Sequence, residues 1–141
     1  MASKRVRSYG VGPSIMYFTL DVSQTITQGM AMVIDGTTSV VQAAADAAAA
    51  GTVVGFAAES VTTGAADTTT QIAVDIDPQA VYNMPYITTA PVLGVSYDVG
   101  TNAGVVDGAD STGGIFTCVG NIDTTASTAD FLLINRFNAK G

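Results

Sequence analysis

Short apolar runs separated by turn residues make up the pattern of residues 15–77. Alternating apolar and polar positions, or an apolar run of roughly four to eight residues, are typical of β-strands. Gly29 and Gly55 fall inside two of the runs and indicate a bend or a close approach between backbones. The pattern predicts strands over residues 15–22, 25–34 (continuing through an Asp35-Gly36 turn to Val41), 52–60 and 68–76, the last half-buried, with a loop at 62–67.

The alanine-rich run at residues 43–50 has a composition that favours a helix. Alanine has the highest intrinsic helix propensity, and Gly51 suits a C-terminal cap. So short a helix is marginal in water unless it packs on a sheet. We therefore expect at most one short helix, at about residues 43–50.

The second half returns to the strand pattern after a proline-rich interruption. Three of the four prolines, Pro78, Pro85 and Pro91, lie in residues 78–92. Since proline cannot donate a ladder hydrogen bond, we expect an irregular connector there rather than a central strand. Strands are predicted over residues 93–99, 114–119 and 131–137, separated by a Gly- and Asp-rich loop at 101–113 and a Thr- and Ser-rich loop at 121–129.

Many short strands divided by turn signals predict a mainly β protein folded as a barrel or sandwich. The 141 residues are the length of one ordinary domain. We expect residues 1–14 to form an extended N-terminal arm and residues 15–141 a single compact β-rich domain. Within that domain, the connector at 78–92 would join the strand sets 15–77 and 93–137.

Charge is distributed unevenly along the chain. All five basic residues lie near the ends, at Lys4, Arg5, Arg7, Arg136 and Lys140, and all twelve acidic residues lie between them. Because a body without Lys or Arg repels nucleic acid and anionic lipid surfaces, we expect neither as a partner. The basic arm can bind an acidic partner, fold back on its own body or on a neighbouring copy, or remain a solvated tail.

Small neutral side chains replace charge over most of the sequence. Charged residues make up 12% of the chain and hydrophobic residues 48%, whereas a typical domain is about a quarter charged. No run of about 18 consecutive apolar residues occurs, so we expect no membrane-spanning segment. No apolar region directly follows the basic N-terminal residues, so we expect no signal peptide.

The sequence offers few residues for catalysis. It has no histidine, which removes the commonest general base and the Ser-His and Cys-His nucleophile pairs. Cys118 is the single cysteine, so no internal disulfide can form, and we expect it to be a small buried apolar residue. Asp75 and Asp77 would share one face of a strand, but the second precedes Pro78 and is typical of a turn carboxylate. We expect no enzyme activity and no cofactor.

Two further groups have a functional and a structural interpretation. Asp98, Asp107 and Asp110, with Asn102, could supply oxygen ligands to a calcium ion, but their spacing matches no EF-hand and such residues usually form Asx-turns. Three tyrosines could stack on sugars, but buried core or interface positions are commoner for this residue. These tyrosines are Tyr82, Tyr86 and Tyr97.

One part of the chain resembles a known protein family. Residues 20–22 (LDV), 29–38 (GMAMVIDGTT), 51–59 (GTVVGFAAE) and 68–74 (TTTQIAV) are similar, in this order, to the core of tailed-bacteriophage capsid decoration proteins, also called cement or head-stabilising proteins. The resemblance covers residues 15–77, roughly half of the chain. This chain differs from the smallest members of that family in having a longer C-terminal half.

The resemblance implies a compact β fold of the β-tulip type and a structural role without catalysis. It implies that the protein is made in the host cytoplasm and binds the outside of the expanded phage head in the virion, as homotrimers at three-fold and quasi-three-fold sites. The major capsid protein and further copies of the chain would be the partners. The arm at residues 2–12 would make the contacts, through Lys4, Arg5, Arg7 and Tyr9.

A different phage structural role remains open on the same features. Low charge and Thr- and Gly-rich loops also suit a head fibre, or a tail or baseplate subunit that binds a receptor or glycan. A bacterial surface or secreted β-domain is a third possibility, although it would need a targeting segment. The copy number in virions distinguishes the first two roles.

Overall fold

A computed structural model describes residues 4–7, 14–35, 38–45 and 52–134 of the chain. Within these ranges the protein consists of β-strands and turns, with no helix, which confirms the mainly β fold. Of the alanine-rich run, Ala43 ends a strand and residues 46–50 lie outside the described ranges. The strands are β1 Lys4–Arg7, β2 Ile15–Thr19, β3 Thr25–Ile26, β4 Ala31–Ile34, β5 Val41–Ala43, β6 Val53–Ala57, β7 Val61–Thr62, β8 Gln71–Asp75, β9 Val81–Ile87, β10 Ser96–Val99, β11 Val106–Asp107, β12 Phe116–Asp123 and β13 Thr128–Leu133.

The first strand set forms an antiparallel five-stranded sheet in the order β2-β8-β6-β4-β5. The sheet curls so far that its two outer strands meet. A parallel bridge joins Leu20, at the end of β2, to Val41 of β5. The Asp21 amide donates to the Val41 carbonyl at 2.8 Å beside this bridge. Strands β3 and β7 form a separate two-stranded ribbon.

The second strand set closes on itself. Its order is β9-β11-β10-β12-β13, and β13 pairs with β9 again, so five strands form a closed barrel. Strand β11 runs parallel to β9, and the other pairs are antiparallel. Full closure leaves no edge between these strands. Strand β1 adds to β9 outside the ring.

Pro85 lies inside β9, so the expectation of an irregular connector over residues 78–92 is wrong for its central part. The Tyr86 amide donates to Ser127 on the β13 side at 3.0 Å, and therefore the nitrogen of Pro85 faces the opposite edge. On that edge β1 extends only to Asn83, and β11 begins opposite Tyr86. The missing donor of Pro85 thus falls in the gap between two partner strands, where it costs no ladder hydrogen bond.

Residues of β4 alternate between two different cores, and residues of β6 face the same two cores, with a register shift at Gly55 that interrupts the alternation. One core lies inside the first sheet, and the other extends through the barrel and across to the outer face of the first sheet. The ring of Phe56 on β6 stacks on Tyr82 of β9, with centroids 3.8 Å apart and planes 19° apart. The two strand sets therefore share apolar packing. Residues Met32, Val54 and Ala57 face the inner core, and Ala31, Val33, Val53 and Phe56 face the shared one.

Several strand boundaries differ from the predicted ones. Strand β8 is buried at four of its five residues rather than half-buried, because β2 and β6 flank it and Tyr82 of the barrel contacts its Asp75. The predicted loop at 101–113 contains β11, and β12 and β13 extend into the predicted loop at 121–129. Residues 93–95 form a turn before β10 instead of its first half.

Candidate functional site

The basic N-terminal segment forms β1, which pairs with β9 of its own chain. Lys4 lies opposite Asn83 and Arg5 opposite Tyr82, and a bulge follows before Arg7. Of the three alternatives for the arm, folding back on its own body is the one that these residues adopt in the isolated chain. Tyr9, the fourth predicted contact residue, lies outside the described residues.

The strand beneath β1 is held by buried polar contacts. The Tyr82 hydroxyl donates to Asp75 Oδ2 at 3.2 Å, and Asn83 Nδ2 donates to Asp130 Oδ1 at 2.9 Å. The other oxygen of Asp75 accepts from the Asp77 amide at 3.2 Å, and Asp77 Oδ1 accepts from the Gln79 amide at 2.9 Å. Hydrogen bonds to buried carboxylates fix the positions of the backbone and of the Tyr82 ring. The two carboxylates singled out from the sequence therefore have structural partners.

The loop carboxylates form turns with their own backbone. Asp107 Oδ1 accepts from the Ala109 amide and Asp110 Oδ1 from the Thr112 amide, both at 2.9 Å. Asn102 Oδ1 accepts from the Gly104 amide at 2.8 Å. These contacts confirm the Asx-turn interpretation for Asn102, Asp107 and Asp110. Asp98, in contrast, is buried in β10, and its Oδ1 accepts from the Val99 amide at 2.7 Å. The described ranges hold no cluster of three or more His, Cys, Asp or Glu side chains with a metal-site arrangement.

The three tyrosines considered for sugar stacking are buried in the shared core. Tyr82 stacks on Phe56, and the Tyr97 hydroxyl accepts a hydrogen bond from the Val92 amide at 2.8 Å. Their ring faces are occupied by the protein itself, which confirms the core interpretation. Cys118 is buried as well, and desolvation raises the pKa of its thiol, which disfavours the reactive thiolate.

Exposed apolar side chains concentrate in two places. The first, called here the β2 patch, consists of Ile15, Met16 and Tyr17 at the start of β2. The second, called here the apolar turn, consists of Val92, Leu93 and Val95. The sequence predicted a strand at the β2 patch and part of a strand at the apolar turn. It did not indicate which of these apolar side chains would be left uncovered by a neighbouring element. Exposed apolar clusters on a folded surface often mark interaction sites.

The apolar turn is held rigidly on the barrel. The Val95 amide donates to Val92 at 3.1 Å, and Gly94 has a φ of 83°, as a type II turn requires at its third position. The Gly94 amide donates to Cys118, and the Cys118 amide donates to Val95, at 2.8 and 3.0 Å. Three apolar side chains are thus presented on a backbone that needs no ordering when a partner binds.

Comparison with known proteins adds no relative: no protein-family model and no curated protein matches the chain. The described residues include no helix of the length and apolar character needed to cross a membrane. The fold and the surfaces define a mainly β protein whose described carboxylates are engaged in local structure. Its most distinctive features are exposed apolar patches and an edge strand of basic sequence.

Proposed function

We propose that the protein is a structural capsid decoration (cement) protein. It binds the outside of an expanded phage head, as homotrimers at three-fold and quasi-three-fold sites, and stabilises the shell. It acts without catalysis or a cofactor, and its partners are the major capsid protein and other copies of itself. The observation that carries the proposal is the pair of exposed apolar patches on a rigid β body whose candidate chemical groups are held in structural hydrogen bonds.

The physics of a cement supports this role. A shell under internal pressure gains resistance when a second protein buries area across the boundaries between capsomers. Short Thr, Ser and Ala side chains lose little rotamer entropy on burial, and hydrogen-bonded turns lose little backbone entropy. The resemblance of residues 15–77 to decoration proteins points in the same direction. The basic strand β1 would supply positive charge, which the acidic body lacks, to acidic groups of the shell.

The glycan-binding alternative has less support from the structure. Sugar recognition on a β surface commonly uses exposed aromatic faces; Tyr82, Tyr86 and Tyr97 are all buried, and among the described aromatic residues Tyr17 alone is exposed. A role as a head fibre, or as a tail or baseplate subunit, predicts a different number of copies per virion. A single measurement of that number therefore distinguishes the alternatives.

The copy number in purified virions tests the proposal. Quantitative mass spectrometry of virions, with isotope-labelled peptides of this chain and of the major capsid protein, gives their ratio. A decoration role predicts a ratio near one copy per capsid subunit. A ratio of a few per hundred, or absence from virions, contradicts the proposal and favours the fibre or tail alternative.

Removal of residues 1–12 is expected to abolish binding to capsids while the fold persists. The deletion takes away β1, but β9 keeps β13 along one edge and β11 along part of the other. Circular dichroism and a thermal melt check the fold, and co-sedimentation with expanded capsids stripped of the protein measures binding. A shorter deletion of residues 1–3, which leaves β1 in place, is the matched control. Full occupancy by the longer deletion variant would contradict the role of the arm.

A further inference from the structure

Strand β2 has one edge that no described strand covers. The Leu20 amide donates to the Thr70 carbonyl, and the Ile76 amide donates to the Ser14 carbonyl. The backbone N–H and C=O groups of the even-numbered residues in this segment therefore face β8. The odd-numbered groups of Ile15 and Tyr17 therefore point to the opposite edge. Beyond Thr19 that edge meets β5 through the Leu20–Val41 bridge, but within the described ranges nothing pairs with it at Ile15 and Tyr17.

This edge lacks the protection that edge strands usually carry. Charged residues, above all Lys, and prolines keep an exposed edge from pairing with another chain. The β2 patch has neither: its residues are apolar, and Tyr17 is 62% exposed. The outer edge strand of the other sheet, β1, has the sequence Lys-Arg-Val-Arg and is strongly basic. One chain thus presents one apolar edge and one basic edge.

The charged side chains at the far end of β2 are negative. Asp21 lies just beyond the end of the strand, and the Asp67 loop lies there on the β8 side, where Thr70 accepts from the Leu20 amide and also bonds the Asp67 carboxylate. The Thr70 hydroxyl, followed by the Thr70 and Thr69 amides, lowers the pKa of Asp67, so this carboxylate stays ionised. No Lys or Arg occurs between Ser8 and Asn135. Among the described residues, the basic groups that could neutralise this end belong to β1.

We propose that the free edge of β2 binds the outer edge of β1 from a second copy of this chain. The free stretch of the β2 edge, from Ile15 to Tyr17, is no longer than β1, which has four residues. The basic sequence of β1 complements the acidic end of β2, whereas two acidic bodies meeting through identical surfaces would repel. Contact between two different edges is head-to-tail and generates a ring when its rotation closes. The inference extends the homotrimer of the proposed function by naming its interface.

Sedimentation velocity of the purified full-length protein, over a concentration series at low and high salt, tests the interface. The wild type is expected to associate reversibly, and more weakly at high salt. Tyr17→Lys should raise the dissociation constant at least ~10-fold, because it removes apolar contact and repels the basic β1. Tyr17→Glu should weaken association less, since its charge attracts β1. The matched control is Leu93→Lys, because Leu93 is 64% exposed but lies in the apolar turn.

Three results would overturn the inference. A wild type that stays monomeric at every concentration excludes the interface, and equal weakening by Tyr17→Lys and Leu93→Lys excludes its location. Equal weakening by Tyr17→Lys and Tyr17→Glu excludes β1 as the occupant. Melting temperatures of all variants check that they fold. A protein that associates through this edge but is missing from virions contradicts the proposed function and leaves the interface standing.

Discussion

Gly55→Ala is expected to lower the free energy of unfolding by about 3 kcal/mol, the upper end of the range for overpacked sites. A Cβ at this position would overlap the backbone carbonyl oxygen of Asp75, and it would lie 2.9 Å from the Asp75 carbonyl carbon and 3.0 Å from Val74 Cγ1. A flexible side chain could move aside, but a carbonyl in the neighbouring strand β8 can do so only if the strand shifts. That shift would disturb the Asp75 contact with Tyr82.

Gly64→Ala is the matched control for this prediction, since a Cβ there meets nothing within 4 Å. We expect this control to be neutral or slightly stabilising, because alanine restricts the unfolded chain. Urea denaturation followed by circular dichroism measures both variants. A Gly55→Ala protein within about 0.5 kcal/mol of the wild type would show that β6 and β8 do not approach as closely as described.

Phe56→Ala is expected to destabilise the protein by about 3–5 kcal/mol, the usual cost of removing a fully buried aromatic ring. The ring is completely buried and stacks on Tyr82, so its loss opens a cavity between the first sheet and the barrel. Phe56→Leu, which keeps most of the apolar volume, should cost less. The side chain lies between the two strand sets, and therefore this variant also tests whether they unfold as one unit.

The two sets are expected to unfold together in wild type and variant alike. The chain has no tryptophan, but three of its five tyrosines lie in β9 and β10, so tyrosine fluorescence is weighted toward the barrel while circular dichroism reports on all strands. If the fluorescence and circular dichroism transitions in urea coincide, and the Phe56→Ala midpoint is lower than that of the wild type, the result fits a shared core. Two separate transitions would contradict it and would make the halves independent domains.

Most strands of the first half were predictable because they lie in local apolar runs bounded by turn signals, whereas β7 overlaps the predicted loop at 62–67. Gly55 was recognised as a close approach, and Gly29, with a φ of 91°, as the bend between β3 and β4. The prediction at Pro85 was wrong because the hydrogen bond that a proline removes from a strand depends on the edge that its nitrogen faces. Here it also depends on where β1 and β11 end. Both depend on residues that lie far away in the sequence. The burial of β8 was missed for the same reason.

The candidate surfaces were only partly predictable. The basic character of Lys4, Arg5 and Arg7 is visible in the sequence, but their pairing with β9 is a tertiary contact. The exposure of Tyr17 could not be predicted, because the run from Ile15 onward has the same apolar character as the buried strand β6. Only the arrangement of the sheet shows which apolar strand lacks a neighbour.

The closed barrel has a consequence for the order in which the chain folds. Strand β9 pairs with β1, more than seventy positions earlier, and with β13, more than forty positions later. Closing such long loops makes folding slow. During synthesis the first sheet can form early, but its Phe56 face has to wait until β13 emerges from the ribosome. We therefore expect the nascent chain to expose an apolar face for most of its synthesis and to need protection from aggregation until the barrel closes.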